Sequence, residues 1–88
     1  MVRKHFIFYG SVQGVGFRFR ARNAAKLYGC TGWVRNEPDG TVSMEIQGDE
    51  EQINRVIESI EQGRFVSIER MDVDVLPLKE HEYGFNSR

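Results

Sequence analysis

The sequence has little of what secreted and membrane proteins depend on. Its 88 residues include one cysteine, Cys30, which cannot form an intrachain disulfide, whereas a secreted domain of this size usually needs several. Behind the basic N-terminal residues only Phe6 to Tyr9 form an apolar run. That run is too short for a signal-peptide core, and no stretch approaches about 18 apolar residues. We therefore expect a protein of the reducing cytoplasm with no membrane segment.

Excess charge of either sign is also absent. Twelve Lys and Arg against thirteen Asp and Glu give a net charge of -1, which argues against a protein that binds nucleic acid through bulk charge. His5 and His81 are far apart, and no Cys or carboxylate stands at a zinc-ligand spacing. We expect no metal, no cofactor and no nucleic-acid partner, and any anion site must be local.

What remains is an ordinary globular composition, with 40% hydrophobic residues and nine glycines. Its length predicts one domain, residues 1–88, with a radius of gyration of about 12 Å. Hydrophobic spacing, turn residues and capping patterns divide the domain into elements. These are a strand at Lys4–Tyr9, a helix at Phe17–Tyr28, a hairpin of Thr31–Asn36 and Thr41–Gln47 with its turn at 37–40, a helix from Asp49 to Gly63, a strand at Val66–Leu76 and a short last strand with Tyr83 and Phe85.

The order strand, helix, strand, strand, helix, strand is the split βαβ arrangement called ferredoxin-like. We predict an α+β fold of this βαββαβ type, an antiparallel sheet with two helices on one face. The fourth strand should cover one side of the helices' apolar stripes. Its apolar period breaks between Ile68 and Met71, which is typical of a β-bulge.

The most informative segment is the loop from Gly10 to Arg18, which carries glycines at 10, 14 and 16. Such a loop can turn backbone N–H groups inward, and the helix that follows adds unpaired donors and partial positive charge. A positive charge at Arg18 is unfavourable to the helix dipole, and a bound anion would relieve it. The alternative is a tight turn with a solvated arginine.

Known phosphate motifs do not fit this loop. Gly10 is followed five residues later by Val15 and no Gly-Lys pair occurs, so it is not a Walker A loop. Phe19 stands where a dinucleotide fingerprint needs its third glycine. A cysteine-phosphatase loop starting at Cys30 would need arginine at position 36, where Asn36 stands, so Cys30 is interpreted as a packed thiol.

Two motifs resemble the signatures of the acylphosphatase family. Residues Gly10–Arg18 are similar to the first signature, G-x-V-Q-G-V-x-F-R. The run Gly32–Asn36, followed by Gly40, Val42 and Gly48, is similar to the second signature. The resemblance covers about residues 6 to 76. Phe8 departs mildly from the family's aliphatic preference, and the polar segment 85–88 departs from its usual apolar last strand.

The resemblance implies hydrolysis of acyl phosphates to a carboxylate and inorganic phosphate, without a metal. It implies that Arg18 binds phosphate and that Asn36 orients the attacking water. The implied phosphate-binding loop comprises Val12, Gln13, Gly14, Val15, Gly16, Phe17 and Arg18. The implied partners are a small-molecule acyl phosphate and, as competitors, inorganic phosphate or sulfate, and we expect a monomer. From the residues alone, Asn36 could instead satisfy its own turn.

Two functions of other classes remain as alternatives. RNA-recognition domains share this strand order, and Phe17 and Phe19 beside glycines resemble part of an RNA-binding motif, although they precede a helix and not a central strand. The chain could also be a regulatory or accessory domain, like the acylphosphatase-like modules of larger carbamoyl-transferring maturation proteins.

Overall fold

The computed structural model describes all 88 residues, in five strands and two helices. The elements are β1 (Val2–Ser11), α1 (Phe17–Leu27), β2 (Thr31–Asn36), β3 (Val42–Gly48), α2 (Glu50–Glu61), β4 (Ser67–Leu76) and β5 (Phe85–Ser87). Their order confirms the predicted ferredoxin-like α+β fold. The Cα radius of gyration is 11.8 Å, close to the value that the chain length predicts.

One sheet with the strand order β4-β1-β3-β2-β5 forms the frame. β3 is antiparallel to both β1 and β2, with Phe8 opposite Val42 and Val42 opposite Asn36. β1 and β2 therefore run in the same direction on the two sides of β3, and they finish at the same end of the sheet. The loop that leaves β1 is thereby brought next to Asn36, the last residue of β2.

Both helices pack on one face of the sheet, because each carries a single apolar stripe. In α1 this stripe is Phe17, Ala21, Ala24 and Ala25, and in α2 it is Ile53, Val56, Ile57 and Ile60. Alternate residues of β1 and β3, such as Phe8 and Met44, meet these stripes from the sheet and are fully buried. The ring of Phe17 lies 4.9 Å from that of Phe8, which anchors the start of α1 on the sheet.

The expected position of β4 is only partly confirmed. A register shift opposite Tyr9 and Gly10 leaves Glu69 unpaired, which confirms the predicted bulge. The expectation that β4 covers the helical stripes is wrong. β4 is the edge strand beyond the helix layer, and its helix-side residues Val73 and Val75 are exposed.

The sheet is mixed and not purely antiparallel, because the last strand crosses it. β4 ends at one edge, and residues 77–84 carry the chain over the helix-free face to the opposite edge. There β5 runs parallel to β2, with Phe85 opposite Gly32. Phe85 is buried in the core, so the polar last strand packs through this one aromatic residue, while Tyr83 lies outside the strand and is exposed.

A buried arginine holds this crossover in place. The side chain of Arg3 is 2% exposed and donates to both carboxylate oxygens of Glu82, at 2.7 and 3.1 Å. It also donates to Glu45 at 3.0 Å, and Gln47 bonds the backbone of Lys79. A buried cation must be paired to be tolerated, so these contacts fix the route by which the chain reaches β5.

We expect Glu82→Gln to destabilise the fold by about 2 kcal/mol, because a charge-assisted pair to a buried arginine becomes a neutral one. For a domain of this size that lowers the Tm by roughly 8 to 16 °C. Thermal unfolding at pH 7 measures the effect. Glu80→Gln, in the same exposed segment and without an ion pair, is the matched control.

The effect should depend on pH in a defined direction. The hydrogen bonds from Arg3 hold the pKa of Glu82 below its ordinary value, so the stabilisation is present above about pH 4.3 and is lost as the pH falls further. The parent and Glu82→Gln should therefore converge in stability below that pH. A constant gap between them down to the acid transition would contradict the ion-pair account.

Candidate functional site

One cleft is present, and it opens where β1 and β2 end beside the start of α1. Its volume is about 190 Å³ and it is open to solvent. Its walls are formed by Val12, Gly14, Gly16, Phe17, Arg18, Phe19 and Asn36. The cleft thus brings together the glycine loop, Arg18 and Asn36, although Arg18 and Asn36 are separated by the whole of α1 and β2 in the sequence.

The loop conformation depends on glycine at two positions. Gly14 has φ +71° and Gly16 has φ +82°, a left-handed region that other residues rarely adopt. A Cβ built at either position meets nothing within 4 Å. The requirement is therefore for the backbone conformation and not for space.

This conformation leaves a continuous series of backbone donors without protein partners. From Gln13 to Phe19 no backbone N–H donates to an acceptor within the protein, and regular helical bonding starts with Arg20 N–H to Gly16 C=O at 3.0 Å. The N–H of Val12, a residue of the phosphate-binding loop that the resemblance implies, instead donates to the Gly10 carbonyl at 3.1 Å. The available donors thus begin one residue later than predicted and extend one residue further.

The two helices differ in what their N-termini carry. The N-cap residue of α2 is Asp49, and Glu50 and Glu51 lie in the first turn. The side chain of Gln52 accepts from the Asp49 N–H at 3.2 Å. The N-cap residue of α1 is Gly16, which has no side chain to cap the helix, and the first turn contains no acidic residue. Its charged residues are all basic, namely Arg18, Arg20, Arg22 and Lys26. The N-terminus of α1 therefore combines unpaired donors with positive charge and is suited to an anion.

Arg18 lines the cleft with a guanidinium that is held at one corner. Its Nη1 donates to the carbonyl oxygen of Arg88 at 2.9 Å, and the Arg88 N–H donates to Val34 C=O at 2.8 Å. The guanidinium carries further N–H donors on its other edges, so an anion in the cleft can be bound without breaking this contact. The backbone of Arg88 thereby positions Arg18, and no motif in the sequence indicates that.

Asn36 contributes a polar side chain to the opposite wall. The turn that follows is closed by other groups: Asp39 accepts from the N–H and hydroxyl of Thr41 at 3.0 and 2.6 Å, and Glu37 N–H donates to Thr41 C=O at 2.9 Å. The side-chain amide of Asn36 makes no hydrogen bond within the protein, so the interpretation that it satisfies its own turn is wrong. Its carbonyl and NH₂ are both available to a molecule in the cleft.

The side chain of Gln13 links the glycine loop to the hairpin, a contact that the sequence did not predict. Its side-chain Nε2 donates to Glu37 C=O at 2.7 Å and to Thr41 C=O at 2.9 Å. The sequence marked Gln13 only as a backbone donor, whereas its side chain fastens the glycine loop to the hairpin that carries Asn36. The only available signal was its place inside the first signature.

The residues that suggested other functions are not placed to perform them. Cys30 is buried away from the cleft, and burial raises its pKa to about 11, so the thiol is protonated at neutral pH. Phe17 is in the core and Phe19 on α1, and neither lies on the open sheet face where RNA-recognition domains stack bases. No group of three His, Cys, Asp or Glu residues could hold a metal ion, and neither helix has the length and apolarity to cross a bilayer.

Comparison with known proteins places the chain in one family. The acylphosphatase family model matches residues 4–87. An acylphosphatase of Geobacillus kaustophilus is 41% identical over 86 residues, which are 97% of this chain and 92% of that protein.

Solved structures agree with the sequence comparison. The crystal structure of the Bacillus subtilis acylphosphatase superposes with a TM-score of 0.89 at 29% identity, over 100% of this chain and 99% of that one. The chain also matches a 12% portion of full-length HypF, solved in a phosphate- and nucleotide-bound form, with a TM-score of 0.84 at 30% identity.

We expect Gln13→Met, which keeps the side-chain length but removes the donors, to lower stability by about 1 to 2 kcal/mol through two lost hydrogen bonds. We also expect inorganic phosphate to raise the Tm of the parent protein, and we expect a smaller rise in Gln13→Met, because the glycine loop is released from the hairpin. Thermal unfolding with and without phosphate measures both effects. Gln62→Met, at the exposed end of α2, is the control, and a Gln13→Met protein with parental Tm and phosphate response would contradict the role.

Proposed function

This chain belongs to the acylphosphatase family and is a hydrolase of acyl phosphates, and we propose that it acts without a metal, through the glycine loop, Arg18 and Asn36. The observation that carries the proposal is the series of backbone N–H groups from Gln13 to Phe19 that have no acceptor in the protein. Gly14 and the residues from Gly16 to Phe19 in this segment line the cleft. Buried or clustered donors are normally satisfied, and a phosphoryl group offers three oxygens that can accept from them.

Phosphoryl binding is the first step of the proposed mechanism. The loop N–H groups and the free edges of the Arg18 guanidinium bind the equatorial oxygens of the phosphoryl group. These donors are already oriented in the free protein, so they need no reorganisation when charge changes in the transition state. The basic surface of α1 attracts the dianionic substrate to this end of the molecule.

Water attack is the second step. The Asn36 carbonyl accepts from a water molecule and its NH₂ donates, and the two ends of the amide together hold the water oxygen in line with the bond to be broken. The water oxygen forms a bond to phosphorus, the bond from phosphorus to the acyl oxygen breaks, and the carboxylate leaves with the electron pair. The water proton passes to a phosphoryl oxygen, because an amide is too weak a base to take it.

The chemistry of the substrate makes stronger catalysts unnecessary. The leaving group of an acyl phosphate is a carboxylate, which needs no general acid to protonate it at neutral pH. Charge stabilisation and positioning of the water carry most of the catalysis of phosphoryl transfer. Backbone donors and one arginine supply the charge stabilisation that a metal ion supplies in other enzymes.

The proposal includes a monomeric enzyme of the cytoplasm that takes small molecules. A cleft of about 190 Å³ fits a phosphoryl group and a modest acyl group. The buried single thiol of Cys30 is compatible with a reducing compartment.

The proposal is tested by hydrolysis of benzoyl phosphate in the presence of EDTA, where we expect the parent protein to be fully active. Arg18→Ala should abolish measurable turnover and the rise in Tm that phosphate produces, since any ligand that binds only the native state raises Tm. Arg18→Lys should restore little, because an ammonium cannot reproduce the planar fork.

Arg22→Ala is the matched control, since Arg22 lies one turn further along the same helix and is outside the cleft. It should keep nearly parental turnover and phosphate response. An Arg18→Ala protein that still gains stability from phosphate would place the anion site elsewhere, and loss of parental activity in EDTA would refute metal independence.

The role of Asn36 is tested separately, since it should affect chemistry and not phosphate binding. We expect Asn36→Ala to lower kcat roughly a hundred- to a thousandfold, the range that follows loss of one oriented contact, with KM and the phosphate-induced rise in Tm almost unchanged. Asn36→Asp should be no better at neutral pH, since it adds a negative charge beside a dianion.

Asn54→Ala, on the exposed side of α2, serves as the control for removal of an amide. A near-parental kcat in Asn36→Asp would mean that the residue acts as a replaceable acceptor or base. The water-orienting role that uses both ends of the amide would then be wrong.

A further inference from the structure

The packing of the fold does not require an aromatic side chain at Phe19. It lies in the first turn of α1, directly after Arg18, and its side chain is 71% exposed. The buried stripe of α1 passes through Phe17 and Ala21, so Phe19 points away from the core. It nevertheless lines the cleft, so its exposed ring is free to contact a ligand that binds there.

Phe19 is the only apolar side chain of the cleft that is exposed enough to contact a ligand. Val12 and Phe17 are 1% and 2% exposed, so they form the floor and offer almost no free surface. The loop donors and Arg18 serve the phosphoryl group, and Asn36 serves the water. In a cleft of about 190 Å³, an acyl group larger than a modest one reaches the rim, where the side chain of Phe19 is exposed.

The geometry of in-line displacement determines which side of the cleft the acyl group contacts. The attacking water and the leaving oxygen lie on opposite sides of phosphorus. Asn36 belongs to the sheet wall, at the end of β2, whereas Phe19 belongs to the helix wall and faces solvent. A water held by Asn36 therefore directs the leaving carboxylate towards the helix wall and the open rim.

We propose that Phe19 is a specificity-determining residue that packs against the acyl group, so that the enzyme prefers acyl phosphates with an aromatic or extended apolar acyl group over acetyl phosphate. This inference rests on the proposed function. Packing of two aromatic rings adds to the binding of both the substrate and the transition state, because the acyl group remains in contact throughout. Phe19 should therefore act mainly on KM.

An acyl group that carries a further negative charge would need a second cation in the cleft. Arg20 donates to Ser59 C=O at 3.2 Å and is turned towards α2, and Arg22 does not line the cleft. Arg18 is the one cation in the cleft, and the phosphoryl group requires it. The surroundings therefore favour an apolar acyl group over a charged one.

The test is the ratio of kcat/KM for benzoyl phosphate to kcat/KM for acetyl phosphate, measured on one preparation of each protein. The ratio is independent of the folded fraction, and comparison of variant with parent removes the intrinsic reactivities of the two substrates. We expect Phe19→Ala to lower the ratio roughly three- to tenfold, the size of one aromatic contact, through a higher KM for benzoyl phosphate. Phe19→Tyr should keep the parental ratio.

Phe65→Ala is the matched control, because Phe65 is 67% exposed and lies outside the cleft, and it should leave the ratio unchanged. An unchanged ratio in Phe19→Ala, or an equal loss on both substrates, would overturn the specificity role. A parent protein that hydrolyses neither substrate would instead overturn the proposed function, so the two failures are distinguishable.

Discussion

The antiparallel register of β1, β3 and β2 is the constraint on which the rest of the site depends. Because β3 pairs with both neighbours, Phe8, Val42 and Asn36 lie in one row, and β1 and β2 finish at the same end of the sheet with β3 between them. Gln13 then secures the loop to the hairpin through two carbonyls. A slip of one residue in either pairing would turn Asn36 to the opposite face of the sheet and separate it from Arg18.

Stability and function are divided between the two ends of the molecule. At the end where β1 starts, the buried charge is paired and the helix dipole is complemented: Arg3 forms ion pairs with Glu82 and Glu45, and α2 has acidic residues in its first turn. At the cleft, backbone donors stay unpaired and α1 carries arginine where the helix dipole disfavours it. The ion pairs at the first end can offset this cost in stability, and an anion bound in the cleft would remove it.

The sequence predicted the parts of the fold that follow from local patterns and missed those that follow from long-range pairing. Apolar spacing and capping located both helices, and the broken period at Ile68 located the bulge opposite Gly10. The parallel pairing of β5 and the exposure of β4 depend on where the sheet ends, which no local pattern encodes. In the site, the glycine loop was predictable from its motif, whereas the side-chain bonds of Gln13 and the contact of Arg18 with the Arg88 carbonyl join residues far apart in sequence.

The central claim is that water attacks phosphorus while backbone donors and Arg18 hold the phosphoryl oxygens. Hydrolysis of benzoyl phosphate in ¹⁸O-labelled water with EDTA tests it most directly, with the products analysed by mass spectrometry. Attack at phosphorus places one solvent oxygen in the inorganic phosphate and none in the benzoate. Label in the benzoate would show attack at the carbonyl carbon and would contradict the account.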